Sequence, residues 1–308
     1  MINIKPLKAY TDNYIWLLES NEEVSVVDPG DAKPVLDYLS KTNKNLKDIL
    51  ITHHHFDHTA GVPELKNIIS GSIYGPQNSY KLIKEEVTQG DTLSSLGIKF
   101  EIIEVPGHTL DHIAFYNEEN NILFCGDTLF AGGCGRVFEG TFDQMFESLN
   151  KLKQLPDSTQ IYCGHEYTKS NLLFSIKVEP ENNDLIIRNT EIDNLVMKNG
   201  SSLPSSIELE KKTNPFFLYL PLAAPHTPWV PKANYVGISQ AGQYGEFVTM
   251  VDDHIGDLLD HLRNLGLEDD TIVVFASDNG PYWKQPYIEE FDHRAAGELR
   301  GMKGDIYD

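Results

Sequence analysis

The sequence predicts an α/β fold for the larger part of the chain, and three observations support that prediction. Short β-branched runs alternate with helical patterns over residues 1–165, as in a layered α/β domain. Each notable cluster of polar residues follows directly after a strand-like run, where loops held by a rigid sheet usually carry function. Of the 308 residues, 40% are apolar and 23% are charged, an ordinary globular composition that can bury a sizeable core.

Strands are predicted by short apolar and β-branched runs bounded by turn residues. The Asp28-Pro29-Gly30 turn closes the third strand, and Asp31 is placed to cap the helix that follows. The predicted helices are Lys33–Leu39, Pro63–Ile68 and Phe142–Leu155. The predicted strands are Ile2–Ile4, Tyr14–Leu18, Val24–Asp28, Ile49–Thr52, Ile69–Tyr74, Lys99–Glu104, Ile113–Tyr116, Ile122–Cys125 and Gln160–Cys163.

The pattern changes twice beyond this region. Residues 167–212 have a helical, polar pattern, and a third pattern, richer in apolar runs and proline, begins near Asn214. There, a continuous apolar strand is predicted at Phe216–Leu220 and a second buried strand at Thr271–Ala276. Between them, apolar residues at helical spacing predict an amphipathic helix over Gly245–Leu265.

The composition excludes several classes of function. A net charge of −21 argues against nucleic acid or an anionic membrane surface as a partner. The chain has no apolar run of about 18 residues, so we expect no membrane span. Its first residues lack the apolar stretch of an export signal, and its three cysteines show no paired spacing. We therefore expect a cytoplasmic protein, since these cysteines fit a reducing compartment.

The strongest signal for chemistry is THHHFDH at residues 52–58, directly after a buried strand. Histidines and aspartates at three later strand ends, His108, Asp127 and His165, complete the set. Imidazole nitrogens and carboxylate oxygens are ligands for zinc and similar divalent ions. Five histidines and two aspartates suffice for two ions, which a shared carboxylate can bridge at about 3.5–4 Å.

Within THHHFDH, the spacing itself suggests roles. His53 and His55 lie two residues apart on a strand-to-loop turn, so their side chains point the same way. Asp57 and His58 can then turn toward a second ion. His54 and His112 lie beside these residues, and we expect each to support a ligand or to lie at the surface.

Five motifs carry a resemblance to a known family: TDNY at 11–14, THHHFDH at 52–58, VPGHT at 105–109, FCGDTLFAGGCGRVFEGT at 124–141 and CGHEYT at 163–168. Residues 1–215 resemble glyoxalase II (hydroxyacylglutathione hydrolase), a metallo-β-lactamase-fold family. The resemblance implies an αββα sandwich as the catalytic domain over residues 1–166 and a truncated helical substrate-binding segment over 167–214. It also implies a first metal site of His53, His55 and His108, a second of Asp57, His58 and His165, and Asp127 as the bridging carboxylate.

The resemblance further implies the reaction. Two divalent ions, with zinc expected first and iron or manganese also suited to these ligands, share a hydroxide that attacks a thioester carbonyl. Asp57 binds metal and orients that hydroxide, and S-D-lactoylglutathione gives D-lactate and glutathione. Arg136, Phe138 and Tyr167 occupy the family's positions for contacts to the glutathione moiety, although Arg136 replaces a lysine and Phe138 lacks a tyrosine hydroxyl. We expect a monomer acting on a small molecule.

Three alternatives remain open from the sequence. The same fold could hydrolyse another thioester or a lactone, or oxidise a glutathione persulfide, although the last would need one iron and fewer ligands. A sulfatase-like module would place function in the last part of the chain. A protein that merely holds metal is the third alternative, disfavoured because every expected ligand is present.

Residues 215–308 resemble a different family. PFFLYL at 215–220, APHTP at 224–228, SDNG at 277–280 and LRGMKG at 299–304 follow the order of an arylsulfatase. The resemblance implies sulfate contacts from His226 and Lys303 and calcium ligands from Asp278 and Asn279. The nucleophile motif Cys/Ser-x-Pro-x-Arg and the other calcium aspartates are missing, so we expect an inactive, incomplete α/β fragment without bound calcium. The hypothesis is a chimera of two reading frames, with its seam near Asn214–Phe217.

Overall fold

The computed structural model describes residues 3–77, 80–213, 225–264, 273, 275, 277, 280–283, 285–297 and 303. The chain divides into two compact units, Met1–Tyr219 and Leu220–Asp308. None of the helices that the model describes is long and apolar enough to cross a membrane.

The first unit contains two six-stranded sheets. The first sheet has the order β1-β2-β3-β4-β5-β6, antiparallel from β1 to β3 and parallel from β3 to β6. Its strands are β1 (Asn3–Ala9), β2 (Asn13–Glu19), β3 (Glu23–Val27), β4 (Asn45–Leu50), β5 (Ile73–Pro76) and β6 (Glu85–Val87).

The second sheet has the order β14-β13-β10-β9-β8-β7, in which only β10 and β13 pair in parallel. A separate two-stranded hairpin is formed by β11 and β12. The strands are β7 (Thr92–Ser95), β8 (Ile98–Glu104), β9 (Ile113–Asn117), β10 (Ile122–Gly126), β11 (Leu129–Phe130), β12 (Gly133–Cys134), β13 (Gln160–Cys163) and β14 (Ser205–Ser206).

The helices are divided between the two units. Those of the first unit are α1 (Ala32–Thr42), α2 (Phe56–Thr59), α3 (Val62–Leu65), α4 (Phe142–Lys153), α5 (Thr168–Val178), α6 (Asn183–Asn199) and α7 (Ile207–Thr213). The second unit has a short 3₁₀ turn (Ala233–Tyr235), α8 (Gly242–Asn264) and α9 (Gln285–Phe291). The predicted cap of α1 is confirmed, because Asp31 accepts a hydrogen bond of 2.9 Å from the Lys33 amide.

Strand β2 shows why the first sheet is buried on both faces. Its side chains alternate, so Tyr14, Trp16 and Leu18 join the core between the two sheets. Ile15 and Leu17 join a separate core on the opposite face. A strand covered on both sides has no polar face, and this explains the unbroken apolar run in its sequence.

The two outer layers are helical. Val35 of α1 and Leu65 of α3 lie in the core on the outer face of the first sheet. Met145 and Leu149 of α4 pack into the core that contains the second sheet. Helix α4 begins at a capping box, in which Thr141 and Gln144 bond to each other's backbone. The order helix, sheet, sheet, helix confirms the predicted αββα sandwich.

The helical segment after β13 is tied to the sandwich by buried polar groups. Glu166 accepts hydrogen bonds from the Tyr14 hydroxyl at 2.7 Å and from the Ser202 amide at 2.8 Å. Arg188 and Glu210 form a buried ion pair at 2.6 Å. Glu210 also accepts from the amide of Gly132 at 2.8 Å, so this segment helps to fix the β11–β12 hairpin.

The second unit is built around aromatic side chains. Trp283 is buried, and the ring centroids of Tyr244 and Tyr287 lie 4.8 and 5.1 Å from its own. The predicted helix over Gly245–Leu265 is confirmed as α8, three residues longer at its start. The strand predicted at Phe216–Leu220 lies outside the described residues, as does most of the one at Thr271–Ala276.

The structure differs from the sequence prediction mainly in short strands. Strands β6, β7, β11, β12 and β14 have two to four residues each and were not predicted. Such runs are too short to show a period. The predicted strand Ile69–Tyr74 begins later, at Ile73, and the strand predicted to reach Thr52 ends at Leu50.

Candidate metal centre

The predicted metal ligands follow strands from both sheets. His53 follows β4, His108 follows β8, Asp127 follows β10 and His165 follows β13. The two sheets are joined at this edge by a hydrogen bond of 2.8 Å from the Tyr14 amide to the Gly164 carbonyl. Four loops that are far apart in sequence therefore meet over one end of the sandwich.

The first cluster consists of His53, His55 and His108. Nε2 of His53 lies 3.1 Å from Nδ1 of His55, and Nε2 of His108 lies 3.0 Å from the same atom. Three nitrogens at this spacing face a common point, and their ligand atoms lie close enough together to hold one metal ion. The predicted convergence of His53 and His55 is what brings two of these nitrogens together.

The second cluster consists of Asp57, His58 and His165. Oδ2 of Asp57 lies 3.6 Å from Nε2 of His58 and 3.4 Å from Nε2 of His165. The Asn13 side chain donates to the same oxygen at 2.8 Å and so fixes the carboxylate. This group is also close enough to hold a metal ion.

Asp127 lies between the two clusters. Its Oδ2 is 3.5 Å from Nε2 of His108 and 3.1 Å from Nε2 of His165, and its Oδ1 is 3.4 Å from Nε2 of His58. Oδ1 of Asp127 and Nε2 of His58 are buried, and neither has a hydrogen-bond partner. Buried polar atoms are rarely left unpaired, so a divalent cation fits the donor set at this point.

The opposite ring nitrogens of these histidines are held by other groups. Nδ1 of His58 lies 3.1 Å from Asp28 Oδ2, Nδ1 of His165 lies 2.8 Å from Asp12 Oδ1, and Nδ1 of His108 lies 2.8 Å from a backbone carbonyl. Such contacts fix the orientation of a ligating imidazole and raise its basicity. Sequence reasoning did not assign Asp28 or Asp12 to the site. The available signals were the Asp-Pro-Gly turn after β3 and the TDNY motif.

The electrostatics of the site match this arrangement. Burial lowers the pKa of His53 well below its ordinary value, and burial also lowers that of His108. Burial opposes protonation of His58 too, but the carboxylates of Asp127 and Asp28 raise its pKa well above the ordinary value. For Asp127, burial is outweighed by His58 and His165, which hold its pKa well below the usual range. His58 and His165 therefore favour the ionised form of the Asp127 carboxylate, while burial favours the neutral forms of His53 and His108.

His112 and His54 have different environments. His112 is fully buried and stacks on His53, with ring centroids 4.5 Å apart. Its Nε2 accepts from the Asp127 amide at 3.1 Å, while its other nitrogen contacts the backbone carbonyl of Ile113. His112 thus fixes the backbone of Asp127. His54 is partly exposed and turns away from the clusters toward two carboxylates.

Close backbone approach explains Gly164 beside the centre. A Cβ at this position would collide with the Asp127 carboxylate and would lie 2.7 Å from the His58 ring. Gly126, with a φ of +48°, likewise leaves no room between Thr52 and His112. The glycines that precede Asp127 and His165 in the sequence are therefore required by the packing of the ligands.

A cleft of about 640 Å³ opens onto the clusters. It is lined by ligand residues and by the three predicted substrate contacts, Arg136, Phe138 and Tyr167. The Tyr167 ring stacks on His165 with centroids 4.8 Å apart, and the Arg136 guanidinium lies 5.6 Å from the centre of the exposed Phe138 ring. Cys134 is half-buried and also lines this cleft.

The sulfatase-like residues form no comparable centre among the residues that the model describes. His226 is exposed, with Nδ1 2.7 Å from the carbonyl of its neighbour Thr227. Lys303 is exposed, and its amide donates to the carbonyl of Pro281 at 3.1 Å. Asp278 and Asn279 lie outside the described residues.

Comparison with known proteins identifies the family. A model of the metallo-beta-lactamase superfamily matches residues 11–165, the span that contains both clusters. The hydroxyacylglutathione hydrolase of Pseudoalteromonas translucida (strain TAC 125) is 50% identical over 223 residues, 70% of this chain and 85% of that relative. The chain belongs to the metallo-β-lactamase superfamily. The hydroxyacylglutathione hydrolase of Ectopseudomonas mendocina (strain ymp) is similar at 52% identity over 221 residues, 70% of this chain and 86% of that relative.

Solved structures show that this superfamily member shares the fold of its relatives. The crystal structure of ETHE1 from Myxococcus xanthus superposes with a TM-score of 0.52 at 24% identity, covering 70% of this chain and 83% of that chain. A model of the sulfatase family matches residues 127–307. The chain therefore combines a metallo-β-lactamase sandwich with sulfatase-family sequence, and the two matches overlap at residues 127–165.

Proposed function

We propose that this chain hydrolyses glutathione thioesters, converting S-D-lactoylglutathione and water to D-lactate and glutathione. The observation that carries the proposal is Asp127, which lies between two three-residue ligand clusters at one cleft. Relatives that are 50–52% identical to this chain over most of their length are named hydroxyacylglutathione hydrolases, which supports the substrate class.

The donor set supports two divalent ions. His53, His55 and His108 would hold the first ion and Asp57, His58 and His165 the second, with Asp127 shared between them. Mixed imidazole and carboxylate ligands favour zinc, and the same set accepts iron or manganese. When bound, these ions supply a nucleophile derived from water at neutral pH and a Lewis acid for the carbonyl oxygen.

The protein's own groups position the reactants. Asp57, held by Asn13, would orient the attacking water. Arg136 presents a cation at the cleft for a carboxylate of the glutathione moiety, Phe138 supplies an apolar wall, and the Tyr167 hydroxyl would donate to the peptide part. The departing thiol has a pKa near about 8.5, so it leaves as thiolate without a strong general acid.

The test uses the purified full chain. Bound metal is measured by mass spectrometry, and loss of thioester absorbance is followed with S-D-lactoylglutathione. We expect turnover that depends on bound metal and disappears in Asp57→Asn. Asp37→Asn removes an exposed carboxylate from α1 and serves as the matched control with unchanged turnover. A metal-loaded protein without turnover would refute the proposal.

Further proposals concern the whole chain. We propose a monomer in the cytoplasm; the lack of paired cysteine spacing in the sequence supports a reducing compartment. We also propose functional boundaries at residues 1–166, 167–214 and 215–308, with a chimeric seam near Asn214–Phe217 and an inactive sulfatase-like part without calcium. The missing nucleophile motif supports that inactivity. A continuous DNA read across codons 200–230 that matches this sequence would contradict the hypothesis that the seam comes from a misassembled gene.

A further inference from the structure

His54 lies beside the metal ligands but contacts a different set of groups. Nδ1 of His54 is 3.0 Å from Oδ1 of Asp111, and Nε2 is 3.2 Å from Oε1 of Glu139. An imidazole carries its nitrogens on different edges, and each nitrogen that bears a proton can donate to a carboxylate. His54 thus bridges the loop after β8 and the loop after β12.

The Glu139 end of this bridge belongs to a network between the same two loops. The second carboxylate oxygen of Glu139 accepts from the Leu110 amide at 3.0 Å. The amides of Phe138 and Glu139 donate to the His108 carbonyl at 3.2 and 3.4 Å, and Gly140 donates to Gly107 at 3.1 Å. The bond of the Glu139 amide is longer than an ordinary backbone hydrogen bond, so the side-chain bridge adds support to this segment.

The segment held in this way, residues 136–140, forms one wall of the cleft. Arg136, Phe138 and Glu139 all line it, and the Phe138 ring lies 5.8 Å from the His55 ring and 5.3 Å from the His108 ring. A shift of this segment would move the proposed glutathione contacts. The second cluster is held from outside the segment by Asn13, Asp28 and Asp12, whereas His108 of the first cluster contacts the Arg136 carbonyl at 2.8 Å.

We propose that His54 is a positioning residue for the substrate. By bridging Asp111 and Glu139, it holds residues 136–140 in the place where Arg136 and Phe138 contact the glutathione moiety. The expected rise in KM rests on the proposed function, whereas the expected change in hydrogen exchange does not. The same three side chains lie close enough to hold a cation, but their two short contacts use different ring nitrogens, which favours a hydrogen-bonded bridge.

The kinetic test compares His54→Ala, His54→Gln and the wild-type full chain, each loaded with zinc. For His54→Ala we expect KM for S-D-lactoylglutathione to rise about tenfold, which corresponds to about 1.4 kcal/mol, while kcat and the zinc bound by Asp57, His58 and His165 stay within about twofold. His54→Gln keeps a donor that reaches Glu139 and should recover part of the affinity. Lys212→Ala removes an exposed ion pair with Glu208 and is the control with unchanged constants. An unchanged KM, or equal losses of kcat and metal, would overturn the proposal.

Hydrogen exchange followed by mass spectrometry tests the bridge without turnover. In His54→Ala, amides 138–140 and Leu110 should exchange at least about tenfold faster, whereas those of β13 should be unchanged. Normal protection of residues 138–140 would refute the bridge even in an active enzyme. Faster exchange in a protein without thioesterase activity would support the bridge and contradict only the proposed function.

Discussion

Asp28 offers the sharpest test of how the second metal cluster is supported. It is buried, with 3% of its surface exposed, and accepts from the Thr52 amide at 2.8 Å and the Thr52 hydroxyl at 2.7 Å. Its Oδ2 also lies 3.1 Å from Nδ1 of His58. Its φ of +51° is a left-handed conformation that asparagine tolerates well, so Asp28→Asn tests chemistry with little backbone strain.

The magnitude follows from these contacts. The amide of asparagine offers a single acceptor oxygen and a donor NH₂, so it cannot serve Thr52 and His58 as the carboxylate does. Loss of a support of this kind typically lowers metal affinity about 10–100-fold, equivalent to about 1.4–2.7 kcal/mol. We expect this loss at the second site, because His58 contacts Asp28 directly. His53 of the first site is linked to Asp28 only through the Thr52 hydroxyl, which lies 3.0 Å from its Nδ1, so the first site should lose less affinity.

The assay is a titration of the metal-free protein with zinc against a chelator of known affinity, resolved into two binding steps. Asp48→Asn is the matched control, since Asp48 is also 3% exposed and accepts from the Ser95 hydroxyl at 2.7 Å and the Ser72 amide at 2.9 Å. Both variants should lose about 1–3 kcal/mol of unfolding free energy, but only Asp28→Asn should lose metal. Equal metal affinity in the two variants would refute the assigned role of Asp28.

Three further predictions concern other parts of the chain. Asp57→Ala should abolish turnover and leave about one metal per chain by mass spectrometry; two bound metals would contradict the ligand assignment. Lys5 and neighbouring groups lower the pKa of Glu19 to about 2, so its stabilising effect is present above pH 4.5 and disappears as pH falls toward 2. Acid unfolding monitored by circular dichroism should therefore show a weaker pH dependence in Glu19→Gln, and an identical curve would contradict this. Burial raises the pKa of Cys134 to about 11 and that of Cys163 to about 12. A thiol reagent at pH 7.5 should therefore label the native chain slowly and the denatured chain at all three cysteines. Rapid labelling of the native chain would contradict this prediction.

Strong local patterns accounted for most of the fold that could be predicted. Strand β2 and helix α4 are long enough to show an apolar run and a helical period, and both were predicted close to their bounds. The β11–β12 hairpin was not predicted, because its strands have two residues each. Its position depends on Glu210, which binds the Gly132 amide from 78 residues away.

The resemblance of five motifs indicated the family from the sequence by itself. The sequence also determined the kinds of ligand, because imidazole and carboxylate groups at strand ends restrict the chemistry before any folding is considered. Only the tertiary structure decided that Asp28 and Asp12 hold the ligand rings, and that His54 contacts Asp111 and Glu139. These facts depend on which strand ends meet at the edge of the two sheets. Contacts between residues such as Asp12 and His165, 153 positions apart, arise from sheet packing and leave no local period in the sequence.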